Sequence, residues 1–219
     1  MKVFPGNAPT VLSASPATDV KAIGDSDVVE VELTVWRKSL LFGCEGFTVY
    51  DRKGNLVYRV DDYGCGGVGW KGEIVLMDSG GVALLSIRRK RLILEETWLI
   101  YEGEVPGNPA IPTAPPLLSV RKNVTLLPCP TLAYVTTTTT TSFIIEGSYS
   151  ERRVAVYDNH KRRVAEIKQK EAVAGGVVLG VDVFKLIVSQ GCVDATMAMG
   201  IVVVLDRMFG SPNRRRISK

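Results

Sequence analysis

Gly64-Cys65-Gly66-Gly67-Val68-Gly69 satisfies the glycine spacing G-x-G-x-x-G of a phosphate-cradling loop. That chemistry needs a strand before the glycines and a helix after them, so that free N–H groups at the helix N-terminus meet the phosphate. Here Trp70-Lys71-Gly72-Glu73 leads into the strand-like run Ile74-Val75-Leu76-Met77, so the expectation is a flexible loop between strands. Lys71 is followed by Gly72 rather than Ser or Thr, which also removes a Walker-type loop. His160, the one histidine of the chain, falls in the turn-forming stretch Asp158-Asn159-His160-Lys161. One imidazole cannot build a two-histidine zinc site, and a serine triad would rest on a single exposed turn residue. Asp61-Asp62 and Glu95-Glu96 are adjacent pairs. Neighbours along a strand point to opposite faces, so these read as hairpin ends rather than general acid/base couples. The sequence therefore assigns no catalytic residue, no metal ligand and no cofactor.

Cys44, Cys65, Cys129 and Cys192 lie far apart, without a Cys-x-x-Cys pair. The N-terminal stretch, beginning Met1-Lys2-Val3-Phe4-Pro5, has no apolar run long enough for a signal peptide. In that setting the cysteines are expected to be buried or free thiols rather than disulfides, in an intracellular, cytoplasmic protein with peripheral membrane association or a nuclear location left open.

The basic clusters are the strongest remaining signal. Arg88-Arg89-Lys90-Arg91 is four consecutive cations, and Arg152-Arg153, Lys161-Arg162-Arg163 and Arg214-Arg215-Arg216 add more. In one regular strand two residues of the first run would face inward unpaired, so a bend or sheet end is expected there. A formal net charge of +4 is small for a nucleic-acid protein, and no nucleic-acid motif is present. It is compatible with an anionic leaflet, where each converging cation contributes about 1 kcal/mol. Arg88, Arg89, Lys90, Arg91, Lys161, Arg162 and Arg163 are the candidate contacts to an anionic phospholipid or an acidic protein partner. The competing reading is a scattered, solvated face, and Arg88–Arg91 would also suit a nuclear import adaptor.

These residues must be held by something, and the chain reads as short strands broken by turns. Residues 1–24, rich in Pro, Ala, Ser and Thr, form an expected flexible leader. Leu56–Val60 follows the turn Asp51–Asn55. Ile74–Met77 and Val82–Ile87 flank Asp78–Gly81, and Trp98–Tyr101, Phe143–Ile145 and Phe184–Val188 continue the series. The β-branched and aromatic enrichment argues for an antiparallel sandwich or barrel. Val49-Tyr50-Asp51 and Val156-Tyr157-Asp158 begin two hairpins of matching offsets, through duplication or through shared turn chemistry. Prolines at 105–116 predict an extended surface loop. Thr136–Thr141 reads as a variable loop or strand edge. Neither separates two cores, so one domain is expected over 25–210, followed by a basic tail at 211–219.

Ala195 to Leu205 carries no charge over eleven residues. Asp194 suits an N-cap, Gly210 a C′ position, and Pro212 follows, so the punctuation predicts a helix. A helix apolar all round must be enclosed, and this run falls short of the roughly 20 residues a bilayer span needs. Met197, Gly200, Ile201, Val203, Val204 and Leu205 are its expected core, with Gly200 marking close approach of a neighbouring backbone. Two packed sheets leave no room for such a rod. A closed barrel of about 10–12 strands does.

Three stretches carry a family resemblance: Gly46-Phe47-Thr48-Val49-Tyr50-Asp51-Arg52-Lys53-Gly54-Asn55-Leu56, Glu146-Gly147-Ser148-Tyr149-Ser150-Glu151-Arg152-Arg153, and Val193-Asp194 through Leu205-Asp206. In that order they resemble the plant LURP-one-related family, over roughly residues 28 to 210. The resemblance implies a tubby-like, phospholipid scramblase-like fold: twelve antiparallel strands closed around one hydrophobic C-terminal helix. It ties the chain to plant defence or stress responses, and with no catalytic motif in the sequence a non-enzymatic module is expected. Binding of anionic headgroups is the leading expectation, a protein-interaction module without lipid affinity the second, and scramblase-like activity the third. The proline-rich loop and the threonine run depart from the family pattern.

Overall fold

The computed structural model describes residues 29–41, 44–62, 73–90, 95–105, 114–125, 127–138, 142–170, 180–191 and 193–210. The chain forms β1 (Glu30–Trp36), β2 (Gly46–Tyr50), β3 (Leu56–Asp62), β4 (Glu73–Asp78), β5 (Ala83–Lys90) and β6 (Thr97–Glu102). It continues through β7 (Leu118–Lys122), β8 (Thr131–Thr137), β9 (Ser142–Ser148), β10 (Arg153–Tyr157), β11 (Arg163–Gln169), β12 (Val183–Ser189) and α1 (Ala195–Phe209). Every strand pairs antiparallel with its sequence neighbours, and β1 closes the ring by pairing with both β2 and β12.

Alternation explains which side chains enter the barrel. Leu33 and Val35 of β1, Phe143 and Ile145 of β9, and Phe184, Leu186 and Val188 of β12 sit two residues apart and are buried. Period-two spacing puts them on one face of each strand. The ring they line is filled by α1, in which Ala198 through Asp206 are all buried, Val203, Val204 and Leu205 almost completely. The expected helix is in place; Gly200, Ile201, Val203, Val204 and Leu205 are buried in it, whereas Met197 is only partly buried. Asp194 is the N-cap, its Oδ2 accepting from the Thr196 N–H at 2.9 Å.

Two details of the helix differ from expectation. Gly210 ends it in an extended conformation rather than the left-handed one, and its N–H donates to the Asp206 carbonyl at 2.8 Å. A Cβ there would sit 2.2 Å from that oxygen, so the space and not the dihedral requires glycine. At Gly200 the close neighbours are side chains, not backbone: a Cβ would lie 3.0 Å from Leu85 Cδ1 and 3.3 Å from Ile100 Cδ1. The helix therefore leans against β5 and β6.

Antiparallel alternation gives the barrel two unlike rims. One carries the β2–β3, β4–β5 and β10–β11 turns and receives the N-terminus of α1; we name it the hairpin rim. The other receives the C-terminus of α1 and is named the anchor rim. These three turns use one device. The N–H of Asp51, Asp78 or Asp158 donates to the carbonyl four residues on, and the carboxylate accepts from that residue's N–H at 2.9 Å in each case. The residue in between, Gly54, Gly81 or Lys161, has positive φ. The third copy, at Asp78, attributes the likeness of the other two to turn chemistry.

One further expectation is corrected. Cys44 is disulfide-bonded, so it is not a free thiol, while Cys129 is free and exposed; Cys65 and Cys192 lie outside the described residues. Sequence separation does not report distance once a sheet closes on itself. Of the proline-rich segment, residues 106–113 lie outside the described residues; Val105, at its start, is buried.

Candidate functional site

The four-cation run does not act as a unit. Strand β5 passes Arg88 without a bend and ends at Lys90, the sheet-end alternative of the expectation, and it avoids unpaired inward charge by alternation. Ile87 points into the core, so Arg88 takes the outer face. There the guanidinium meets Glu73 on β4, Nη2 to Oε1 at 2.8 Å, and donates to the Val105 carbonyl at 2.6 Å. Arg88 is 7% exposed, so it is not a lipid or partner contact. Arg89 is exposed beyond the last core layer and lies 3.9 Å from Glu96. Lys90 is exposed, and Arg91 lies outside the described residues.

Strand direction separates the two candidate clusters. β5 runs towards the anchor rim, placing Arg89 and Lys90 there, whereas the turn before β11 places Lys161, Arg162 and Arg163 on the hairpin rim. A single patch containing both clusters is not formed. Lys161–Arg163 instead has a neighbour that sequence reasoning missed: Arg52 and Lys53, in the β2–β3 turn, share its rim with only β1 and β12 between. All five side chains are exposed. Among the described residues neither Lys53 nor Lys161 meets an acid.

A ladder of charge connects the two turns across the outer wall. Arg52 and Lys185 share Glu32, at 3.4 and 2.8 Å, and Arg163 and Lys168 share Glu166, at 3.1 and 3.0 Å. Lys168 and Lys185 are direct cross-strand partners, a like-charge pair relieved by those glutamates. The hydrogen bond from Lys185 holds the Glu32 carboxyl below the ordinary carboxylate range despite partial burial.

On the anchor rim the chemistry is structural. Arg37 Nε lies 3.1 Å from both carboxylate oxygens of Asp206, and the Tyr149 hydroxyl donates to Oδ1 at 3.1 Å. Burial opposes the Arg37 charge but Asp206 outweighs it, so the pKa is raised further. Burial, reinforced by Asp206, pushes the Tyr149 phenol far above its ordinary value. Arg152, itself at positive φ, is sandwiched between the Tyr149 and Phe184 rings, 4.3 Å from each. Arg207 reaches Asp62 at 2.7 Å and Glu45 at 3.5 Å. Asp206 lies just past the apolar run Ala195–Leu205, and its partners Arg37 and Tyr149 are too distant in sequence for spacing to reveal.

The other candidates resolve simply. Residues 64–69 lie outside the described residues. His160 is exposed on its turn, its N–H donating to Asp158 Oδ1 at 2.8 Å. Asp61 accepts from Ser39 Oγ at 2.8 Å, while Glu95 pairs with Arg121 and Glu96 with Lys122 and Arg89. Among the described residues no group of three His, Cys, Asp or Glu could hold a metal ion. No helix among them is long and apolar enough to cross a membrane.

The sequence pattern of the LURP-one-related family matches residues 31–206. This chain belongs to the LURP-one-related family. The match opens at the second residue of β1 and closes on Asp206, so the family pattern spans the ring and ends at the anchor of its helix. Among relatives, LURP-one-related 8 of Arabidopsis thaliana is 44% identical over 200 residues, covering 90% of this chain and 95% of that one. LURP-one-related 17 of the same plant is 39% identical over 206 residues, covering 90% and 91%. An X-ray structure of an Arabidopsis thaliana protein aligns with TM-score 0.55 at 21% identity, over 81% of this chain and 90% of that one. That likeness speaks to the fold alone. In this LURP-one-related barrel, the exposed basic turns of the hairpin rim are the candidate surface.

Proposed function

We propose that this LURP-one-related barrel is a non-catalytic module that engages anionic phospholipid headgroups at a membrane surface, in plant defence or stress responses. The observation carrying the reading is the convergence of Arg52, Lys53, Lys161, Arg162 and Arg163 on neighbouring hairpins of one rim. Lys53 and Lys161 each contribute about 1 kcal/mol near an anionic leaflet, while Arg52, Arg162 and Arg163 are shared with Glu32, Asp158 and Glu166 and contribute less, so attachment is weak and salt-sensitive. The non-catalytic part rests on the commitments of the carboxylates: Asp61, Glu73, Glu95, Glu96 and Asp206 are each engaged with a neighbouring side chain. The reading goes with a cytoplasmic protein held peripherally at the membrane. Its test is sedimentation with vesicles of phosphatidylcholine alone or containing phosphatidylserine or phosphoinositide, at two salt concentrations. Retention confined to the anionic vesicles and lost at high salt is expected; retention independent of lipid charge refutes it.

A second reading, a protein-interaction module without lipid affinity, draws on the anchor rim. Trp36, Leu40 and Leu41 are exposed together on the β1–β2 connection, with Lys38 over the Trp36 ring at 5.0 Å. An aromatic anchor beside aliphatic side chains suits a protein surface. Proximity labelling with one dominant protein partner, alongside no vesicle retention, would favour it.

A further inference from the structure

Gly200 packs α1 closely against Leu85 and Ile100, and space remains beside the N-terminal half of the helix. There, at the hairpin rim, a cavity of about 730 Å³ opens between the first half of α1 and β1, β12, β9, β8 and β7. Its interior is lined by Val31, Phe143, Val188, Met197 and Ile201, and its polar lining includes Thr138, Gln190 and Asp194. From Asp194 to Ile201 the helix rises about 10 Å, which sets the depth. The volume lies in the range of small-molecule sites, which are mostly apolar with a few placed polar groups.

The occupant can be narrowed by chemistry. Apolar walls with polar groups beside the helix start suit one chain bearing one head. Asp194 disfavours an anionic head, because like charges at short range raise the cost of ionisation. A hydroxyl both donates and accepts, so it can give its proton to the Asp194 carboxylate and accept from the Gln190 amide. We infer that this cavity binds a neutral single-chain amphiphile with a hydroxyl head, of the size of a medium-chain alcohol. The inference stands apart from the membrane reading, since the lining excludes the five rim cations.

The test is calorimetric titration of the full chain with 1-decanol and with decanoate near neutral pH, both kept below aggregation. Saturable binding of one decanol per chain is expected, with decanoate at least tenfold weaker. Met197→Trp fills the cavity from a partly exposed position and should weaken decanol at least tenfold with the urea midpoint unchanged; Leu117→Trp serves if that variant fails to fold. Asp194→Asn keeps an N-capping side chain and should narrow the gap between decanol and decanoate. Lys161→Glu should leave decanol binding as it is. Absence of saturable decanol binding, equal binding by both filled-cavity variants, or a head preference indifferent to Asp194→Asn would overturn the inference.

Discussion

Arg37 and Asp206 stand 169 residues apart and form the ion pair that fixes the end of α1 to the β1–β2 connection, Nε to Oδ1 at 3.1 Å. The Asp206 carboxylate is buried, and its carbonyl also accepts from the N–H of Gly210. One residue therefore ends the helix and joins it to the first strand. Removing one partner of a buried pair strands the other charge, a cost of roughly 3 kcal/mol. Arg37→Met should lower the urea midpoint by that order. Tyr149→Phe, which removes one buried hydrogen bond to a carboxylate, should cost about 2 kcal/mol. Equal midpoints for wild type and Arg37→Met would show that the pair does not hold the helix.

Arg88→Glu should destabilise the whole domain, because the new carboxylate would face Glu73 on a covered outer wall, a loss of roughly 3 kcal/mol or more. Lys90→Glu, one turn of the pleat away and exposed, should stay within about 0.5 kcal/mol. Thermal unfolding of the two variants checks the contrast.

Val203→Asp puts an unpaired charge at the centre of the barrel, where desolvation alone costs several kcal/mol. With total stability on the order of 5–15 kcal/mol, the variant should not fold. Near-ultraviolet circular dichroism and gel filtration check this; a folded variant of native size would contradict the buried-helix account.

The Asp158 turn gives a pH dependence. Burial opposes the Asp158 charge, but the turn N–H groups and Arg162 outweigh it, so the folded pKa lies below the ordinary value of about 3.9. A depressed carboxylate contributes stability that is complete above the unfolded value and lost as pH falls through the folded one. Asp51 repeats the pattern, led by its hydrogen bond from Asn55. Urea midpoints should be flat above about pH 5 and fall below about pH 4. Asp158→Asn should flatten that fall, and an unchanged acid limb would contradict the assignment.

What the sequence made legible follows its physics. α1 stood out because eleven uncharged residues between an N-cap and a helix-ending glycine leave few alternatives. β3, β4 and β12 stand out as β-branched and aromatic runs between turn signals, whereas β1 shows itself by the alternation of Val31, Leu33 and Val35. Arg88 was misplaced because its cover comes from Glu73 and Val105, 15 and 17 residues away. Glu73 was within reach of the predicted hairpin, whose register extended one pair past Ile74 and Ile87 sets it opposite Arg88, but no local pattern announces the Val105 carbonyl. The rim assignment was hidden for a related reason: whether two basic turns meet depends on strand direction and ring order, which follow only once closure is known.

The central functional claim is that the hairpin rim, and not the anchor rim, meets the anionic surface. Comparing Lys53→Glu/Lys161→Glu with Arg89→Glu/Lys90→Glu in sedimentation with phosphatidylserine vesicles at low salt tests it most directly. The account predicts that the hairpin-rim variant stays in solution, with unchanged thermal stability, while the anchor-rim variant pellets like the wild type. Loss of binding by the anchor-rim variant alone, or equal pelleting of both, would contradict it.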